Sequence, residues 1–210
     1  LLGQNWSGAL SYIGSRNSYV LSQLPTAMAF AITSNGGNDF SVNNNLVSLT
    51  GTAPISVEYI EVNGIRYALT WTSTTAWSLS VPVGAGTNNL SLQAYDRYGR
   101  LLTNVVDTIK VVNNSAVPLP IGYVVLNEIH YHATNAAGGF VELHNTHPSV
   151  AFDLSNWRLD GADFTFAEGS VILPGGFFVV ASDTNVFTLT YTNAPLPGGE
   201  YAGNLQIGRA

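Results

Sequence analysis

From Phe30 onward the chain repeats one device: a short run in which apolar and polar side chains alternate, closed by a turn rich in Asn or Gly. A two-residue period puts successive side chains on opposite faces of an extended strand, so each run presents an apolar face that another layer must cover. The runs are Phe30–Thr33, Leu46–Gly51, Ile55–Val62, Arg66–Thr72, Trp77–Val81, Asn89–Tyr95 and Val105–Val112. Between them lie Asn35-Gly36-Gly37, Asn63-Gly64, Gly84-Ala85-Gly86 and Tyr98-Gly99. Val62-Asn63-Gly64-Ile65 is the clearest hairpin, because Asn-Gly accepts the positive φ angles of a type I′ turn. This density of short strands predicts a β-sandwich of immunoglobulin type over residues 30–112, with Trp71 and Trp77 in its core or rim.

Residues 113–121 lose the period and carry Pro118 and Pro120, which reads as a semi-stiff linker holding two domains within a limited range of angles. A second set of strands follows over 122–210: Tyr123–Tyr131, Gly139–Asn145, Ala151–Leu154, Trp157–Leu159, Phe164–Phe166, Ser170–Leu173 and Phe177–Ala181. Phe177–Ala181 has no polar alternation and is expected to be a central strand covered on both faces. Residues 1–29 differ from both parts. Leu10, Ile13, Tyr19, Val20 and Leu24 recur at three- and four-residue spacings up to Pro25, which predicts a helix over 9–24. So short a helix is marginal in water alone and is expected to pack on a neighbour, either the next domain or a part of a longer protein. The fold class is therefore all-β: two tandem immunoglobulin-like sandwiches after a short N-terminal helix.

Charge excludes some functions. Only 10% of residues are charged against 46% hydrophobic, and the net charge is −6. Arg16, Arg66, Arg97, Arg100 and Lys110 are balanced by Asp39, Glu58, Glu61, Asp96 and Asp107 before residue 121. After it, Arg158 and Arg209 face Glu128, Glu142, Asp153, Asp160, Asp163, Glu168, Asp183 and Glu200. Without clustered Lys and Arg the chain has no counterion-releasing surface for nucleic acid. It has no cysteine for disulfide or thiolate chemistry, and no apolar run approaches a membrane span. A surface made soluble by Asn, Ser, Thr and Gly fits a secreted or surface-exposed bacterial protein. The first residue, Leu1, suggests a piece of a longer precursor.

Three resemblances follow from particular stretches. TGTAPISVEYIEVNG with TWTSTTAWSLSVPVGAGTNNLSLQAYDRYG, within residues 38–112, resembles the immunoglobulin-like modules repeated in large bacterial surface and secreted proteins. LNEIHY, GGFVELHN, FDLSNWRLDG and FTFAEGSVILPGGFFVVA, over 122–183, resemble the lamin-tail domain, a sandwich of immunoglobulin type found in nuclear lamins and in bacterial extracellular proteins. Its matching positions are Asn127, Glu128, Glu142, Leu143, Asn145, Leu154, Trp157, Leu159, Pro174 and Gly175. That resemblance implies further strands beyond Asn204, and hence a C-terminus cut short with an open edge. YIGSRNSYVLSQLP resembles the closing helix of spore-coat-kinase (CotH-like) domains, none of whose catalytic residues occurs here.

One constellation has the residue types of a metal site. Alternation places Glu128, His130 and His132 on one side of a strand and Glu142 with His144 on one side of the next, with His147 nearby. A hairpin through residues 133–138 would let His130, His132, Glu142 and His144 meet, and imidazole with carboxylate suits zinc. The competing reading is the hydrated face of a half-exposed sheet, with Val125, Ile129, Tyr131, Val141 and Leu143 buried behind it. Asp153, Asp160 and Asp163 suit calcium by residue type but match no ligand-loop spacing. Neither Ser7 nor Ser170 sits in a nucleophile elbow.

No bond-making group is assembled, so the expectation is a non-enzymatic structural, adhesion or assembly module without cofactor or catalytic residue. Its partners would be other domains of the parent protein or neighbouring copies. The alternatives are a module binding carbohydrate, such as cell-surface polysaccharide, or an accessory region of a larger CotH-like kinase.

Overall fold

The computed structural model describes residues 6–23, 28–131, 133, 138–202 and 205. Among the described residues it is all-β apart from two α-helices and a 3-10 turn at Ser34–Gly37. Helix α1 (Trp6–Gln23) forms where the apolar spacing predicts it, yet none of its residues is buried. Leu10, Ile13, Tyr19 and Val20 all face water, so the expected packing against the next domain does not occur among the described residues.

The first sandwich closes two sheets over one core. One sheet holds β1 (Ala31–Ile32), β3 (Leu46–Thr52), β6 (Leu69–Trp71) and β7 (Ala76–Pro82) in the order β1-β3-β7-β6. The other holds β2 (Phe40–Val42), β4 (Tyr59–Val62), β5 (Ile65–Arg66), β8 (Gly86–Tyr95) and β9 (Leu101–Asn113) in the order β2-β9-β8-β4-β5. Burial alternates along β3, β7 and β8 as the two-residue period requires. Val47, Leu49, Ile60, Leu79, Leu92 and Val111 meet in the core. Trp77 lies there at 1% exposure, and its indole N–H donates to the Thr52 carbonyl at 3.0 Å. Truncating a ring so enclosed costs about 3–5 kcal/mol. Gly51 makes room for it, because a Cβ there would stand 2.2 Å from the Trp77 ring. Trp71, directly across from Trp77, is on the rim at 37% exposure.

The Asn63-Gly64 hairpin forms as expected, with φ of 53° and 81° and Val62 facing Ile65. Two expected strands are shorter. The run from Ile55 starts pairing only at Tyr59, because Pro54 lacks an amide proton and its carbonyl closes a turn with the Val57 N–H. The run Arg66–Thr72 divides into β5 and β6, which lie in opposite sheets, and Tyr67 and Ala68 make the crossing. β2 goes unforeseen because three residues are too few to establish a period.

The second sandwich has β10 (Val124–His130), β11 (Phe140–Asn145), β16 (Phe177–Ala181) and β17 (Gly199–Glu200) in one sheet, ordered β10-β11-β16-β17. Two short pairs face it: β12 (Phe152–Asp153) with β15 (Val171–Ile172), and β13 (Arg158–Leu159) with β14 (Phe164–Thr165). Leu143, Phe152, Leu154, Phe166, Ile172 and Val180 form the core. β16 is central as expected, with Val179, Val180 and Ala181 all buried. One face meets the core. Helix α2 (Thr184–Thr190) covers the other, where Phe187 packs on Phe140, Val179 and Ala181. Asp183 caps α2 by accepting the N–H groups of Asn185 and Val186, both at 2.9 Å.

β10 corrects one expectation. Val125, Ile129 and Tyr131 are exposed, whereas Val141 and Leu143 on β11 are buried as anticipated. The reason is position: β10 is an edge strand among the described residues, and it shifts register between Leu126 and Glu128, so that Val124 packs against the core while Ile129 does not.

Candidate functional site

The two sandwiches meet through polar contacts that few local sequence signals announce. Asn45, just before β3 and 2% exposed, reaches Ala151 with both ends of its amide. Its Nδ2 donates to the Ala151 carbonyl at 2.6 Å, and its Oδ1 accepts the Ala151 N–H at 2.9 Å. From the other side, buried Asn145 donates to the carbonyls of Val150 at 2.8 Å and Leu173 at 2.9 Å and accepts the His147 N–H at 3.0 Å. His147 completes the clasp, its Nδ1 accepting the N–H groups of Ser149 and Val150. Residues 147–151 are thus fixed by one sandwich and gripped by the other.

A second contact lies where β5 gives way to β6. The Tyr67 hydroxyl donates to Asp153 Oδ2 at 2.6 Å. Burial pushes the Tyr67 hydroxyl well above the usual tyrosine range, and the bond to the Asp153 carboxylate adds to the shift. Asp153 Oδ1 accepts the Ser155 N–H and hydroxyl, and Ser155 Oγ in turn accepts the Gly169 N–H at 2.9 Å. Gly169 closes the circuit sterically. At φ 75° a Cβ there would stand 2.1 Å from the Arg66 carbonyl oxygen and 2.9 Å from the Tyr67 Cα. Val171 then packs against the core of the first sandwich.

Beside this seam runs an open cleft of about 600 Å³, lined from the first sandwich by Glu58, Tyr59, Arg66 and Trp71 and from the second by Glu168, Gly169 and Phe178. Tyr59 stacks on Tyr95 with centroids 4.8 Å apart, and the Arg66 guanidinium lies 4.0 Å from the Tyr59 ring centre. Among the described residues neither Arg66, Glu58 nor Glu168 takes part in an ion pair.

The residues proposed from sequence for a metal are distributed differently. Glu128 pairs across from Glu142, His130 from Phe140 and His144 from Val125, so Glu128, His130, Glu142 and His144 do share a face of the β10–β11 hairpin. Glu128 Oε1 lies 3.8 Å from His130 Nδ1, but the other contacts of the set lead away from a common centre. Glu142 Oε1 accepts from Asn127 at 2.7 Å; His144 stacks on Phe177 at 4.3 Å; His130 stacks on Phe140 at 5.2 Å and meets Tyr191 edge-on. Among the described residues no three His, Asp or Glu side chains come together as a metal would need, and His132 lies outside those residues. Asp160 and Asp163 both pair with Arg158, at 2.9 and 3.0 Å, while Asp153 serves Tyr67 and Ser155.

Sequence reasoning singled out Trp71 but missed Asn45, Tyr67, Arg66, Glu168 and Gly169. Asn45 and Ala151 are 106 positions apart, and no local pattern marks such a pair. The only signal was Tyr67-Ala68 interrupting the alternation of its run.

Among the described residues no helix is long and apolar enough to cross a membrane. No curated protein matches the chain. Among solved structures, SGBP-B of the Bacteroides ovatus mixed-linkage glucan utilization locus, in complex with a mixed-linkage heptasaccharide, is similar at 10% identity with a TM-score of 0.26, over 76% of this chain and 46% of that one. This chain thus spans less than half the length of that structure. Residues 117–205 match the model of the Lamin Tail Domain family, whose pattern the second sandwich carries.

Proposed function

We propose that this chain is a non-catalytic structural unit of a secreted or surface-exposed bacterial protein, a rigid two-sandwich spacer that sets the distance and angle between whatever lies on either side of it. The observation that carries the reading is the seam: a two-ended amide clasp at Asn45–Ala151, a buried hydroxyl–carboxylate bond at Tyr67–Asp153, and a glycine seated against the opposing backbone. Domains joined by a linker alone move independently by default, so such a seam is a specific investment in rigidity. Apolar side chains left exposed along α1 suit contact with other domains of the parent protein or neighbouring copies. A low-charge, lysine-poor surface, made soluble by Asn, Ser, Thr and Gly, supports the extracellular setting.

Backbone ¹⁵N relaxation tests the reading. Residues 30–112 and 138–202 are expected to report one rotational correlation time and one diffusion tensor. Two separate correlation times, each suited to a sandwich tumbling alone, would overturn it.

A further inference from the structure

We infer that the cleft between the sandwiches is a binding site for a neutral pyranose oligosaccharide, with Trp71 as its stacking platform and Arg66, Glu58 and Glu168 as its hydrogen-bonding rim. This goes beyond a spacer role and rests on the same seam, which holds the two walls of the cleft in place.

Four features point to that ligand class. The size is right: about 600 Å³ falls within the ordinary range for small-molecule sites, and the cleft is open to an extended chain. Trp71 stands at the cleft on β6 with 37% of its surface exposed, although its cross-strand neighbour Trp77 is enclosed. An indole held this way offers a flat apolar face, which the C–H-bearing face of a pyranose ring matches. Arg66 is preoriented. Tyr95 supports Tyr59, Tyr59 supports the guanidinium, and among the described residues no carboxylate forms an ion pair with it. Its planar fork of donors suits adjacent hydroxyl groups, and the Glu58 and Glu168 carboxylates supply acceptors for the same groups.

The charge balance selects among ligands. One guanidinium against two carboxylates disfavours a polyanion such as nucleic acid or a sulfated glycan. A hydroxyl-rich neutral chain, each hydroxyl both donor and acceptor, satisfies all three charged groups at once.

The experiment titrates the whole 210-residue chain with cellohexaose, xylohexaose, mannohexaose and chitohexaose at up to millimolar concentration, read by calorimetry and by amide shifts. At least one is expected to bind and to shift resonances of residues 58–71 and 168–170. Trp71→Ala is expected to weaken that binding by at least about tenfold, as loss of a main anchor does. Arg66→Met, which keeps the aliphatic stem, is expected to weaken it by about the same factor. Trp157→Phe, at a residue that does not line the cleft, is expected to leave it unchanged. No binding by any of the four sugars, shifts confined elsewhere, or a Trp71→Ala variant that melts normally and binds like the parent would each overturn the inference. The relaxation measurement above reads rigidity without ligand, so failure of the spacer reading and failure of this one are separable.

Discussion

Asn45 treats Ala151 as a neighbouring strand would, donating to its carbonyl at 2.6 Å and accepting its N–H at 2.9 Å across the seam between the sandwiches. Both backbone groups belong to a fully buried residue, so a side chain without the amide strands two polar groups away from water. Asn45→Ala is expected to destabilise the protein by about 2–4 kcal/mol, the cost of leaving one buried donor and one buried acceptor unpaired. Asn45→Asp keeps the acceptor but turns the other oxygen toward the Ala151 carbonyl, and is expected to be no better. Urea unfolding of the two variants against the parent checks both statements.

The Tyr67–Asp153 bond gives stability a dependence on alkaline pH. Burial and the carboxylate raise the Tyr67 pKa in the folded state, so the protonated phenol is favoured by folding. Its contribution is complete below the unfolded tyrosine value, about pH 10, and is lost progressively as pH rises above that. Burial raises Tyr201 in the same direction, so the alkaline loss is shared. Tyr67→Phe is expected to cost about 1–2 kcal/mol at neutral pH and to make the decline above pH 10 shallower. Melting temperatures from pH 7 to 11 measure it. Equal slopes for Tyr67→Phe and the parent would contradict it.

Gly169 and Gly161 separate backbone strain from contact across the seam. Both have positive φ, 75° and 86°, but a Cβ at Gly161 meets open space whereas one at Gly169 meets the Arg66 and Tyr67 backbone. Gly161→Ala is expected to cost about 1–2 kcal/mol from the left-handed backbone alone. Gly169→Ala adds a clash that only separation of the sandwiches relieves, and is expected to cost about 1–3 kcal/mol more. Denaturant midpoints of the pair give the difference directly.

The histidines of the β10–β11 hairpin are expected to hold no zinc. His144 lies on Phe177, Glu142 is bound to Asn127, and His130 lies on Phe140. Elemental analysis after purification without metal affinity steps is expected to find no stoichiometric metal, and added zinc is expected to leave the parent and His130→Ala melting alike. One tightly held zinc, lost in His130→Ala, would contradict this.

The parts legible in the sequence are those written by local periodicity. Leu46–Gly51, Trp77–Val81 and Phe177–Ala181 declare strands by alternation or by an unbroken apolar run, and Asn63-Gly64 declares its turn because both residues accept positive φ. What the sequence left unread depends on which elements meet. Ile129 alternates like a buried residue and is exposed because β10 is an edge. Thr184–Thr190 is rich in β-branched residues that favour strands, yet Phe187 over Phe140 makes it a helix. Tyr67 looks like one more strand residue until the crossing between sheets brings it to Asp153. The cleft was hidden for the same reason, since Arg66 and Glu168 are neighbours only after both sandwiches have formed.

Scanning calorimetry tests most directly whether the seam makes one body of two sandwiches. The chain is expected to unfold in a single transition whose van't Hoff and calorimetric enthalpies agree, and a variant combining Asn45→Ala with Tyr67→Phe is expected to split it in two. Two separate transitions in the unaltered chain, unmoved by those substitutions, would contradict the account.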